Sequence, residues 1–231
     1  MTIQIEQTVG EAAAQSLAAT RVFEDHGIDF CCGGNKPIGE ACREKQLDAR
    51  EVISEIEAAI ERENAVPGAR NWNTEPLEAL IRHILDRHHS YLRAEFPRLA
   101  SWLAAVRHAH GARDGAMLEE LDQVFTALKD ELEMHMRKEE MILFPAIQRS
   151  EGWIAGPISL MHEEHDSAGR ALAELRRLTE GYRPPEHACN TYRALYAGLE
   201  ALEKDLHMHI HLENNILFPR AMADTERGRG C

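Results

Sequence analysis

Two short segments of this 231-residue chain repeat each other. His135-Met-Arg-Lys-Glu139-Glu-Met-Ile-Leu-Phe144-Pro145 resembles His209-Ile-His-Leu-Glu213-Asn-Asn-Ile-Leu-Phe218-Pro219, with every matched position offset by 74 residues (139 to 213). A histidine and a glutamate at i and i+4 lie one turn apart on one helix face, so both can reach one centre. Two further histidines, His89 and His165, each stand on the segment preceding one copy. Imidazole and carboxylate together suit iron, manganese or zinc. If each of two octahedral ions takes two histidines and both glutamates bridge, roughly eight of twelve positions are filled. An oxo or hydroxo bridge raises that to about ten, leaving about one open position per ion for a small molecule.

The elements that must position these residues read as helices. Apolar residues recur at steps of three and four. The four stripes are Ile81, Leu85, His89, Leu92, Phe96, Leu99, Leu103; then Leu121, Val124, Leu128, Leu132, His135, Glu139, Ile142; then Ile158, Met161, His165, Ala168, Leu172, Leu175; then Leu195, Leu199, Leu202, Leu206, His209, Glu213, Ile216. Each is apolar except at the six candidate ligands, which therefore point inward, where an ionisable group is costly unless paired or metal-bound. His89 continues its stripe and is preferred to His88 for that reason. His88, His207 and His211 flank the stripes and are expected in solvent, as is Glu140; His162 is off its stripe. Glu131, one turn before His135, and Glu164, beside His165, are candidate carboxylates for a ligand imidazole.

Glycines and prolines punctuate the helices at Gly111 and Gly115, at Gly152 and Gly156-Pro157, and at Gly181 and Pro184-Pro185. Helices are expected near 75–110, 116–149, 157–181 and 186–222, and short connections make them antiparallel neighbours. The expected organisation is a small helical domain over 1–63, a linker over 64–74 (Asn64 to Thr74, with Pro67 and Gly68), a four-helix bundle over 75–222 and a flexible tail over 223–231. In the first domain, Thr8 and Glu11 have capping-box spacing, a helix over 9–26 closes at Gly27, another starts near Pro37, and Asp48 with Glu51 opens a third. Between them lies Asp29-Phe30-Cys31-Cys32-Gly33-Gly34, an adjacent thiol pair that could bind or pass a metal or sense redox state.

A net charge of −13 without a basic patch argues against nucleic-acid partners. No run of eighteen apolar residues suggests a membrane span, and the first residues lack a signal-peptide pattern, so a cytoplasmic setting is expected. Five cysteines without regular spacing make a poor disulfide framework.

The Asp29-to-Gly34 segment resembles the short N-terminal domain of the di-iron iron–sulfur cluster repair (RIC) family. The two His-x-x-x-Glu segments with their Leu-Phe-Pro endings, Gly156-Pro157-Ile158 and Glu164-His165-Asp166 resemble that family's hemerythrin-like domain. The resemblance implies an all-α, up-down-up-down bundle with a non-haem di-iron centre on His89, His135, Glu139, His165, His209 and Glu213. It implies restoration of iron–sulfur clusters after nitric oxide or oxidative damage, by supplying iron. It also implies nitric oxide binding, a homodimer, and damaged iron–sulfur proteins as partners. An alternative is a nitric oxide scavenger or reductase of the nitrosative-stress or denitrification response, the one reading that makes the chain an enzyme. The stripes offer four histidines where oxygen-carrying hemerythrins use five. No histidine has a glutamate three residues before it, as ferritin-like oxidases require.

Overall fold

The computed structural model describes residues 2–64 and 71–229. The described residues are almost entirely helical and form no strand. They fall into two compact units, Met1–Arg82 with His207–Cys231, and His83–Leu206. This division differs from the expected boundary at 64–74, because the last turns of the chain group with the N-terminal helices. Of that expected linker, 65–70 lie outside the described residues. Asn71 turns the chain beyond them, its side chain accepting from the Asn73 N–H at 3.0 Å.

In the first unit, helix α1 (Val9–Gln15) opens on the expected capping box: Thr8 Oγ1 accepts from the Glu11 N–H and Glu11 returns a carboxylate to the Thr8 N–H. The single helix expected over 9–26 is two. Ser16 is extended (φ −159°) and its hydroxyl caps α2 (Leu17–Asp25) by accepting from the Ala18 N–H. Gly27 at φ +64° ends α2. Helices α3 (Ile38–Glu44) and α4 (Ala49–Asn64) follow, and Val9, Phe23, Ile38, Cys42 and Ile56 fill the core between them. The Cys turn runs from Gly27 to Pro37, with Asp29 Oδ1 accepting from the N–H groups of Cys31 and Cys32, both at 3.0 Å. Gly10 donates to the Gly34 carbonyl at 2.7 Å, an approach so close that a Cβ on Gly34 would meet Gly10 Cα at 3.1 Å. The end of the chain belongs to this unit: Arg220 donates to the Trp72 and Glu75 carbonyls.

The second unit is four helices. Helix α5 (Leu77–His83) leads through a π-helical segment, Ile84–His89, into α6 (Ser90–Lys138). Although α6 is continuous in its range, Asp114 leaves helical geometry (φ −111°, ψ 15°) and the chain doubles back. The turn therefore falls between Gly111 and Gly115, as their spacing implies. Arg107 pairs with Glu119 and Asp122, and the Phe96 and Phe125 rings meet at 6.4 Å, so the two arms of α6 are antiparallel. Helix α8 (Ala155–Leu178) runs against the second arm: Glu131 pairs with Ser167, and Glu120 with Arg177. Helix α9 (Asn190–His211), whose residues up to Leu206 lie in this unit, runs against α8 through Arg176–Glu203 and against the first arm through Asp205–His88. Gly198 lets α9 close on α6, since a Cβ there would sit 2.6 Å from Leu99. The result is the up-down-up-down order that the short connections imply.

Two more π-helical segments interrupt the helices, Glu139–Leu143 before α7 (Phe144–Gln148) and Leu212–Leu217 before α10 (Phe218–Arg229). Each immediately precedes a Phe-Pro pair. A proline ring clashes with the carbonyl four residues earlier, here Met141 for Pro145 and Asn215 for Pro219, and both carbonyls lie in the widened turn. The tail expected from 223 is helical to Arg229, because α10 continues past the expected end at 222.

Candidate metal centre

All six candidate ligands are buried: His89, Glu139 and Glu213 have no exposure and the other three no more than 2%. Three of the six stand in π turns, His89 at the end of the first, Glu139 at the start of the second and Glu213 near the start of the third. Such turns concentrate at functional sites because they offset a side chain from the regular stripe.

Within the second unit, His135, Glu139 and His165 present three ligand atoms all within 4.8 Å of one another. The Nε2 atoms of His135 and His165 are 3.1 Å apart, and Glu139 Oε2 lies 3.4 Å from His135 Nε2 and 3.3 Å from His89 Nε2. Donors about 2.1 Å from one ion and at right angles to each other are separated by roughly 3 Å. The observed separations match that spacing. Glu139 stands between two imidazoles, within reach of both. In the first unit, the second His-x-x-x-Glu pair has the same local geometry, with His209 Nε2 3.0 Å from Glu213 Oε1.

The outer nitrogens of two candidate ligand histidines are also engaged. His135 Nδ1 pairs with Glu164 Oε2 at 2.8 Å, and His89 Nδ1 with Glu140 Oε1 at 2.7 Å. An Nδ1–H donated to a carboxylate leaves Nε2 as the lone-pair donor and fixes the ring's direction, as the imidazole ligands of metals commonly require. The His135 bond, more than the opposing desolvation, pulls the Glu164 carboxyl down to about 2, and Lys138 assists. Burial pushes the Glu140 carboxyl up, but the bonds from His89 and Arg93 outweigh it and its pKa is lowered. Both carboxylates are thus ionised acceptors at neutral pH.

Of the two carboxylates expected near the imidazoles, Glu164 is placed beside His135. Glu131 is exposed, and it accepts from the Ser167 hydroxyl rather than from an imidazole. Glu140, expected in solvent, is half-buried against His89. The expectation for two histidines is also overturned. His88 is 3% exposed and its Nδ1 lies 3.1 Å from Asp205 on α9. His211 has no exposure, its Nδ1 accepts from Asn215, and burial drops its pKa to about 3. His207 is half-buried and His162 exposed. Two stripe residues are displaced by the π turns. Leu85 is only half-buried while Ile84 is buried, and Ile142 is 49% exposed while Leu143 is buried.

The thiol pair lies in the first unit. Cys31 Sγ and Cys32 Sγ are 3.7 Å apart and unbridged, and with an Asp29 oxygen they form a second cluster within 4.8 Å. The bond with Cys32 and then burial push the Cys31 thiol well above its ordinary pKa. Asn214 and Asn215, directly after the candidate ligand Glu213, donate to the Cys31 and Phe30 carbonyls at 3.1 and 2.8 Å.

A four-helix arrangement with buried imidazoles and carboxylates is the hemerythrin class, and residues 80–221 match the hemerythrin HHE cation binding domain. Residues 5–60 match ScdA_N, a domain of unknown function (DUF542). Over 219 residues the chain is 42% identical to the iron–sulfur cluster repair protein YtfE of Pectobacterium atrosepticum, covering 94% of this chain and 97% of that one. The YtfE protein of Musicola paradisiaca is also 42% identical, with 94% and 96% covered, and that of Yersinia pseudotuberculosis is 41% identical over the same shares. The chain belongs to this hemerythrin-domain family of iron–sulfur cluster repair proteins, as the resemblance of its motifs implied. Among the described residues no helix is long and apolar enough to cross a membrane.

Proposed function

We propose that this protein repairs damaged iron–sulfur clusters and that it carries two non-haem iron ions, bridged by an oxo or hydroxo group. The residues that would hold them are the six that the motifs single out, His89, His135, Glu139, His165, His209 and Glu213. The observation that carries the reading is the pairing of ligand spacing with fixed ring direction. His135, Glu139 and His165 stand at separations suited to one ion, while Glu164 and Glu140 hold two imidazoles with Nε2 facing inward. Support for the biological role comes from the relatives named iron–sulfur cluster repair proteins, which match nearly the whole chain. When bound, the ions supply Lewis-acid and one-electron redox chemistry.

In this reading iron is also cargo, delivered to a cluster protein that nitric oxide or oxidative stress has stripped. The two carboxylates, Glu139 and Glu213, are the residues suited to release it, because a carboxylate is protonated and displaced more readily than a thiolate cage is opened. The test is metal content and the Mössbauer spectrum of wild type and His135→Leu, followed by recovery of a nitrosated cluster enzyme on adding each. About two exchange-coupled irons per chain in wild type, lost with repair in the variant, is the expected result. Equal cluster recovery with His135→Leu would sink the repair role, and one zinc in place of iron would sink the di-iron centre.

The donor count favours a second role. Four imidazoles and two carboxylates do not saturate two six-coordinate ions, so nitric oxide binding is proposed at the same centre. Release of nitrous oxide by the reduced protein would make it a reductase, and its absence would leave scavenging alone. A cytoplasmic setting and a homodimer belong to the same proposal. Size-exclusion chromatography at two concentrations tests the dimer, and a monomer at both would remove it.

A further inference from the structure

The second unit holds another group of donor side chains, at the turn end of its helices. His110 and Asp114 stand four residues apart, the spacing of His135 and Glu139, at the end of the first arm of α6. The backbone differs there: Asp114 leaves helical geometry, so its carboxylate is set by the bend rather than by a regular helix face. His187 comes from the segment before α9, in a turn where the Ala188 N–H donates to the Pro185 carbonyl at 2.9 Å. It meets Asp114 directly, with His187 Nε2 2.8 Å from Asp114 Oδ2. His110 supplies a third donor: one ligand atom from each of the three residues lies within 4.8 Å of the other two. The His110 ring is flanked by the His187 ring at 5.9 Å and by the buried Tyr192 ring at 5.1 Å. All three donor residues are half-buried, with side-chain exposures of 24% for His187 and 15% for Asp114.

An ion pair needs one imidazole and one carboxylate. Here a second imidazole joins them, and two protonated imidazoles so close together repel each other. A single dication takes the place of both protons and uses all three donors. We propose that His110, Asp114 and His187 bind one zinc-type divalent cation, with water completing the coordination. Two imidazoles and one carboxylate are a set that zinc takes in tetrahedral geometry with a fourth position open. Magnesium and calcium favour all-oxygen sets, so the two nitrogen donors select against them. Donors about 2.1 Å from a tetrahedral ion stand roughly 3.4 Å apart, so the His187–Asp114 pair opens slightly and the His110 ring turns inward. Along α6, His110 lies 21 residues beyond His89 (89 to 110), about 30 Å at the helical rise, so this centre is separate from the candidate iron ligands. The ion clamps the bend of α6 to the start of α9, two elements that a bundle otherwise joins only by packing.

The experiment uses the full-length, iron-loaded protein, given one equivalent of zinc from a chelator buffer. One zinc per chain should be retained with no iron released, and the thermal midpoint should rise. X-ray absorption at the zinc edge should show nitrogen and oxygen neighbours, two imidazoles among them, and no sulfur. His187→Ala and the isosteric Asp114→Asn should each weaken zinc retention by at least about 100-fold and leave iron content at the wild-type level. Circular dichroism checks that both variants are folded. Zinc bound through sulfur would place the ion on a thiol and overturn the proposal. So would wild-type retention in either folded variant, or zinc uptake matched by released iron.

Discussion

The two copies of the His-x-x-x-Glu segment use the next residue for opposite purposes. After Glu139 comes Glu140, whose carboxylate accepts from His89 and fixes a neighbouring imidazole. After Glu213, at the same place in the repeat, comes Asn214, whose amide donates to the Cys31 carbonyl. Asn215 likewise replaces Met141, which is 77% exposed, and donates to Phe30. One copy therefore reinforces the candidate metal centre, and the other braces the thiol turn of its own unit. A repeated motif need not keep repeated duties: the ligand pair is common to both, and what surrounds it is fitted to each location.

The largest effect should come from the shared element. Glu139→Gln and Glu213→Gln should each reduce iron from about two per chain to below about one, because each removes a buried charged ligand. Metal analysis after gel filtration decides this, and full loading of either variant would break the equivalence of the two copies. The next test separates them. Glu140→Ala should weaken metal retention against a chelator by about 10–100-fold and leave thiol reactivity unchanged. Asn214→Ala should do the reverse, keeping the metal while costing about 1 kcal/mol and speeding alkylation of Cys32. Chelator competition and iodoacetamide kinetics on both variants read the contrast, and identical behaviour would refute it.

Gly10→Ala tests the brace from its other side. A Cβ there would meet Asn215 Oδ1 at 2.5 Å and the Gly34 carbonyl at 3.1 Å, so a loss of about 1–3 kcal/mol in urea denaturation is expected. Full stability would mean that the asparagine yields freely. The smallest effect is kinetic. With the Cys31 pKa raised, its alkylation should begin at higher pH than that of an ordinary thiol, and mass spectrometry at neutral pH should find Cys32 labelled first. Equal labelling of the two would show that burial does not protect Cys31.

The ligand stripes were legible in the sequence because a polar residue among leucines at helical spacing has few places to go. His89, His135, His165 and His209 are all buried where the three-and-four pattern puts them. The surroundings were less legible. The stripe pattern assumes one period along each helix, so it misplaced Leu85 and Ile142, which flank π turns. Burial of His88 depends on Asp205, 117 residues away, and a local pattern carries no trace of it. Glu140 looked solvated because the residue beside an inward-facing ligand normally points outward. Its partner is on another helix, and only the fold brings His89 to it. The break at Ser16 was hidden for a different reason: alanine-rich flanks favour helix on both sides, and a capping serine inside such a run resembles an ordinary helical one.

The π turns also set a rotational phase. Each one holds a residue more than an α-turn would, so everything beyond it is turned by about 100° relative to an uninterrupted helix. Helix α10 and helix α7 therefore present their buried Phe218 and Phe144 at angles set by the ligand segments ahead of them. A single-residue deletion inside either segment would leave both flanking helices intact in composition while rotating one against the other. The candidate ligand carboxylate and the aromatic anchor five residues after it thus behave as the two ends of a mechanical coupling, and neither can be re-aimed without moving the other.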